Sequence, residues 1–174
     1  MRSIVYNLST MTQIMKIKLF TVIAISLVLS VSCNRTNKYE EEEAALIQEY
    51  LDSHSNQAFQ LKESGLYYLD VLVGSGSQPV KSDTAFVFYT GYYLNGNVFD
   101  TNVGDTAAFG FPTGEGWVIL GFDEGIMKMR EGGIAKFLIP SYLGYGNSGW
   151  YFPAYTPVVY DVILDSLVAG PGGR

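Results

Sequence analysis

The sequence predicts an α+β fold: an antiparallel sheet of about five strands curled around one short helix, with an N-terminal helical extension. Three observations carry this. Runs rich in β-branched and aromatic residues, LYYLDVLV and TAFVFYTGYYL, are closed by Gly-, Ser- and Asn-rich breaks. Asn95-Gly96 follows the second run and is a two-residue hairpin signal, because both residue types tolerate φ > 0. One stretch instead carries apolar residues at helical spacing: Val118, Ile119, Phe122, Ile126 and Met129 fall on one face.

Residues 1–32 read as a targeting segment. Lys16 and Lys18 precede a largely apolar run, Leu19 to Val31, and Ser32 and Cys33 follow at once. A run of about 13 residues is too short for a bilayer that needs about 20, and it fits the apolar region of a secretory signal. MKIKLF, from Met15, is a well-formed signal start, so initiation at Met15 or Met11 is expected, the alternative being a long positive region. Residues 33–39 form a polar tether, and residues 40–59 a helical extension with its connector. Leu46, Ile47, Tyr50 and Leu51 share one face of that helix, and Glu40 to Glu43 in its first turn suit the helix dipole. His54, near its end, reads as a solvated C-terminal residue.

Residues 60–170 carry the β-rich domain. Strands are expected from Leu66, over TAFVFYTGYYL, from Asn97 to Phe99, from Phe109 to Phe111, from Ile134 to Ile139 and from Val158 to Val168. The short helix is expected to end at Gly132-Gly133. Between Pro140 and Pro157 runs a loop of an unusual length for a compact domain. It holds Tyr142, Tyr145, Trp150, Tyr151, Phe152 and Tyr155, more aromatics than solvent contact explains.

Composition narrows the function. A chain that is 48% hydrophobic and 14% aromatic buries a core rather than remaining disordered. A net charge of −6 without a Lys/Arg cluster argues against a nucleic-acid partner. With one His and one Cys, neither an intrachain disulfide nor a Cys/His zinc site can be assembled. There is no Gly-x-Ser-x-Gly elbow, and the sole His lies outside the β-rich domain, which disfavours a hydrolase.

Two resemblances sharpen the reading. Ser32-Cys33 at the end of the apolar run is similar to the lipobox of bacterial lipoproteins, although Ser30 stands where such boxes usually carry Leu. It implies lipidation of Cys33 and a lipid-anchored protein of the bacterial envelope, facing the periplasm. The run of four Glu after Cys33 also resembles the acidic export signals of some surface lipoproteins, and a charge run is otherwise a solvated tether. Separately, VFYTGYYLNGNVFDTN, ILGFDEGIMKMREGGIAKFLIPSYLGYG and YTPVVYDVILDSL, in that order, resemble the FKBP-type peptidyl-prolyl cis/trans isomerases over about residues 60 to 168.

That resemblance implies a shallow apolar bowl for a proline ring, with no metal and no cofactor. By position, Tyr89, Asp100 and Tyr145 match the polar catalytic edge. Phe99, Phe109, Val118, Ile119 and Phe122 match the substrate-binding wall and floor, and Phe152 a residue of the long-loop flap. Phe122 stands where the family usually has Trp. Taken singly, each has a blander role: Tyr89, Phe99 and Phe122 as core, Asp100 as a turn carboxylate, Tyr145 as a loop anchor. The partners implied are proline-containing unfolded or partly folded segments of exported proteins, and macrolide inhibitors. A non-catalytic binding or chaperone module on the same fold remains the alternative.

Overall fold

In the computed structural model, residues 38–147 and 152–171 are described. The expected signal segment, Cys33 and most of its tether lie outside them, as do Trp150 and Tyr151. The chain divides into two compact units, Met1–Glu41 and Glu42–Arg174. The β-rich domain lies wholly in the second. Among the described residues, no helix is long and apolar enough to cross a membrane.

Helix α1 spans residues 38–53. The strands that follow are β1 (Gln60–Leu61), β2 (Tyr67–Leu72), β3 (Thr84–Tyr93), β4 (Val98–Thr101) and β5 (Phe109–Pro112). Helix α2 (Leu120–Lys128), β6 (Ile134–Ile139), a 3-10 turn (Ser141–Leu143) and β7 (Val158–Val168) complete the chain. All pairings are antiparallel, in the order β1-β2-β6-β7-β3-β4, with β5 also on β3. Seven strands form where about five were expected, partly because the two-residue β1 precedes the first strand expected, from Leu66.

The period-2 alternation of strands explains both faces of the sheet. Tyr68, Val87, Phe137, Ile139, Val158, Tyr160, Val162 and Leu164 point one way, toward Phe122, Ile126 and Met129. Leu138 and Val159 point the other way and are covered by Ile47 and Tyr50 of α1. Leu46, expected on the same face, is 50% exposed. Glu43, Ile47 and Tyr50 follow an i, i+4, i+7 stripe, and Leu46 is turned about 100° away from Ile47. His54 is half-buried rather than solvated: it stacks on Tyr50 at 4.1 Å, and its Nδ1 lies 2.8 Å from the Tyr50 carbonyl.

Two turns differ from expectation. The hairpin has a three-residue loop, not two: Gly96 N–H donates to the Tyr93 carbonyl and Tyr93 N–H to the Asn97 carbonyl. Only Gly96 takes a positive φ (85°) and Asn95 does not, so the connection is an ordinary turn followed by one left-handed glycine. The sheet register shifts by one residue beside it, between Gly91 and Tyr92. Helix α2 ends at Met129, whose extended backbone closes it, with its N–H on the Ile126 carbonyl. Gly132-Gly133 belong to the next turn, where Gly133 N–H meets the Arg130 carbonyl and Gly132 has φ 80°.

Candidate active site

Strand β3 changes partner along one edge: its first half pairs with β5 and its second half with β4. At the change the ladder would leave backbone groups of Val87 and Tyr89 unpaired. The side chain of Asn102, buried just after β4, supplies the missing bonds. Its Oδ1 accepts from Tyr89 N–H at 2.7 Å and its Nδ2 donates to the Val87 carbonyl at 3.0 Å. This opens the sheet edge while holding Tyr89 firmly, and the gap becomes one side of a cavity.

That cavity, about 390 Å³, is lined by Tyr89, Asp100, Phe109, Gly116, Trp117, Val118, Ile119, Phe122, Tyr145 and Tyr160. Its size suits a small apolar group. Phe122, 3% exposed, forms the floor. Its ring meets Tyr160 edge-on at 5.0 Å and Tyr89 at 5.8 Å. Tyr89 in turn meets Phe109 edge-on at 6.2 Å. Edge-to-face contacts of this kind fix ring orientation. The loop before α2 is pinned by the buried Asp123, whose carboxylate accepts from Gly114 N–H at 2.8 and 3.0 Å. Val118 and Ile119 are thereby held at the rim, and Trp117 stands out beside them, 73% exposed.

One side of the cavity is polar. The Tyr89 hydroxyl donates to Asp100 Oδ2 at 2.8 Å. The hydroxyls of Tyr145 and Tyr160 lie 2.7 Å apart and share a hydrogen bond. Burial, then the bond to Asp100, pushes the Tyr89 phenol above its ordinary value. Burial raises those of Tyr145 and Tyr160 as well. Tyr89 thus spends its hydrogen on Asp100, while one hydroxyl of the Tyr145–Tyr160 pair keeps its hydrogen for a ligand.

Seven of the nine residues read from the sequence as catalytic or substrate-binding line this cavity, namely Tyr89, Asp100, Phe109, Val118, Ile119, Phe122 and Tyr145. Phe99 and Phe152 do not line it but stand behind Tyr145. Phe152 stacks on the Tyr145 ring at 3.7 Å, and Phe99 meets Phe152 at 4.8 Å and Tyr145 at 6.3 Å, both edge-on. Tyr160, Trp117, Gly116 and the supporting Asn102 were missed. VVYDV reads as plain alternating core, and nothing local in it signals a partner fifteen residues away. A larger groove of about 730 Å³, between α1, the β3–β4 hairpin and residues 153–157, contains none of the predicted site residues.

The FKBP-type peptidyl-prolyl cis-trans isomerase family matches residues 75–165. An FK506-binding protein of Neisseria meningitidis serogroup B is 37% identical over 102 residues, 58% of this chain and 94% of that protein. The FKBP-type isomerase FkpA of Aeromonas hydrophila is 36% identical over 119 residues, 67% of this chain and 44% of that protein. The crystal structure of FkpA from Escherichia coli superposes with a TM-score of 0.66 at 27% identity, over 87% of this chain and 73% of that one.

Proposed function

Because the chain belongs to the FKBP-type peptidyl-prolyl cis-trans isomerase family, we propose that its aromatic cavity holds a prolyl ring while the preceding peptide bond rotates. The observation that supports this is the meeting of an aromatic floor and walls (Phe122, Tyr160, Tyr89, Phe109) with one polar side (Tyr145, Asp100). Rotation about X–Pro must lose amide resonance, a barrier of about 18–20 kcal/mol. The twisted amide is less polar than the planar one, so an apolar wall favours it over the ground state, which water stabilises better. The Tyr145 hydroxyl is suited to hold a substrate carbonyl, and Val118 and Ile119 to flank the peptide at the rim. A rate gain of about 10⁴–10⁶ asks for only ~5–8 kcal/mol, within reach of shape and a few hydrogen bonds.

The test is an isomerisation assay with Leu–Pro, Ala–Pro and Glu–Pro peptides. The fastest turnover is expected for Leu–Pro, since apolar contact beside the proline site discriminates by about 1–3 kcal/mol. If the folded protein accelerates none of them yet binds proline-containing chains, it is a binding module. Phe122, standing where the family usually has Trp, is the feature that favours this second reading.

The substrates proposed are proline-containing segments of exported proteins, with macrolides as competing ligands. The prolyl and macrolide parts rest on the family, and the exported part on the signal-like segment and on Ser32-Cys33. On the same grounds Cys33 carries lipid and anchors the protein in the bacterial envelope, facing the periplasm or the cell surface. Fatty-acid probe labelling that is equal in wild type and Cys33→Ala would exclude the anchor. Protease shaving of intact cells separates the two faces.

A further inference from the structure

One buried carboxylate has no part in the chemistry above. Glu43, on the second turn of the described part of α1, is 6% exposed. Both its oxygens are used on a single residue 98 positions away: Oε1 accepts from Ser141 N–H at 2.5 Å and Oε2 from Ser141 Oγ at 2.7 Å. A carboxylate is costly to bury and is found inside when its bonds are made. Here they are made to the first residue after β6 and its Pro140 link, where the long loop begins.

Ser141 passes the restraint on. Its carbonyl accepts from both Gly144 N–H (2.9 Å) and Gly146 N–H (2.8 Å), the two amides that flank Tyr145. The Gly146 carbonyl then accepts from Tyr155 N–H at 3.0 Å, tying the outgoing limb of the loop to its return. The turn bearing Tyr145 is therefore closed around one carbonyl, and the residue owning that carbonyl is gripped by α1. Farther along the same stripe, α1 is fixed to the sheet by Ile47 and Tyr50.

We propose that Glu43 is a positioning residue for the isomerase: through Ser141 it sets the turn that presents the Tyr145 hydroxyl to the substrate. α1 is then a working part of the site rather than an appendage. The inference rests on the isomerase reading of the cavity for its effect on rate, but the restraint itself is measurable without turnover.

The test uses the full chain with Glu43→Ala, Glu43→Gln, Ser141→Ala and, as a control, Ile47→Ala, which loosens α1 without touching Ser141. Steady-state kinetics are measured together with amide hydrogen exchange at Gly144 and Gly146. Losing charge-assisted bonds at the turn is expected to lower kcat/KM of Glu43→Ala about tenfold. Exchange at the two glycines should accelerate at least as much, with the β7 amides unchanged. Glu43→Gln, whose side chain can still accept from the Ser141 N–H and meet its hydroxyl, should stay within about threefold of wild type. Ser141→Ala, which keeps the N–H bond, should fall between.

Unchanged glycine exchange in Glu43→Ala overturns the proposal. So does an equal loss in Ile47→Ala at matched thermal stability, which would reduce Glu43 to a general stabiliser. If the wild type does not isomerise at all, the function proposed above fails, and glycine exchange alone still decides whether Glu43 holds the turn.

Discussion

Tyr160→Phe tests whether the polar side of the cavity is a working pair or two independent phenols. Tyr160 is 5% exposed, and the one hydrogen bond of its hydroxyl among the described residues is to the Tyr145 hydroxyl at 2.7 Å. Removing a neutral hydrogen bond costs about 0.5–1.5 kcal/mol net, a fall in melting temperature of about 2–6 °C for a domain of this size. Tyr145→Phe is different in kind. It leaves the buried Tyr160 hydroxyl without a partner, which costs about 1–3 kcal/mol, whereas removing both partners is nearly neutral. The double variant should therefore be at least as stable as Tyr145→Phe alone. In kcat/KM, Tyr160→Phe should lose about two- to tenfold through a less well aimed Tyr145, and the double variant should match Tyr145→Phe within about twofold. Thermal melts and the peptide assay on the four proteins complete the cycle. Costs that simply add, in stability and in rate, would refute the pairing.

The remaining predictions follow from packing and titration. Asn102→Ala strips partners from Tyr89 N–H and the Val87 carbonyl and should destabilise the domain by about 2–4 kcal/mol in a denaturant titration, with faster exchange of the Tyr89 amide. Gly91→Ala places a Cβ 2.7 Å from Phe99 and 2.8 Å from Tyr160; the displaced rings should cost about 1–3 kcal/mol, and a proline peptide should bind more weakly by calorimetry. Burial pushes the Tyr50 phenol up to about 12, and Tyr68, Tyr89, Tyr92 and Tyr160 also lie above the ordinary phenol value, burial being the first cause in each. Folded values above unfolded ones mean that this stability is complete below about pH 10 and lost as pH rises through 10 toward 12. Melting curves flat to about pH 9 and falling beyond 10 are expected; a fall between about pH 7 and 9 would contradict the assignment.

What was legible in the sequence was whatever is written locally. The strands from Thr84, Ile134 and Val158 announce themselves by composition, and the face of α2 by spacing. The errors arose where a distant partner decides. Leu46 reads as apolar-face helix, yet the sheet residues Leu138 and Val159 select Ile47 and Tyr50. Asn95-Gly96 permits a two-residue hairpin, but the register shift between Gly91 and Tyr92 accompanies a longer loop. Gly132-Gly133 suits a helix end, but Gly132 N–H is taken by the Leu164 carbonyl of β7, so the pair serves the sheet. Tyr160, Asn102 and Glu43 act only through residues 13 to 98 positions away, which no short window along the chain contains.

The placement of those distant partners has a common cause in strand geometry. On β6, Phe137 faces the cavity floor and Leu138 faces α1; on β7, Tyr160 and Val159 divide in the same way. Adjacent residues of a strand point to opposite faces, so the residues under α1 and those facing the cavity are carried by the same two strands. Lys136 and Asp161, paired at 2.9 Å on the α1 side with Tyr92, brace the same two strands between these contacts. Thus α1 lies behind the strands that carry Tyr160, while Glu43 and Ser141 link it around the sheet's edge to the turn that carries Tyr145. The hydroxyls of Tyr145 and Tyr160 lie 2.7 Å apart. A helix that merely spaced the domain from a tether would need no buried carboxylate on Ser141.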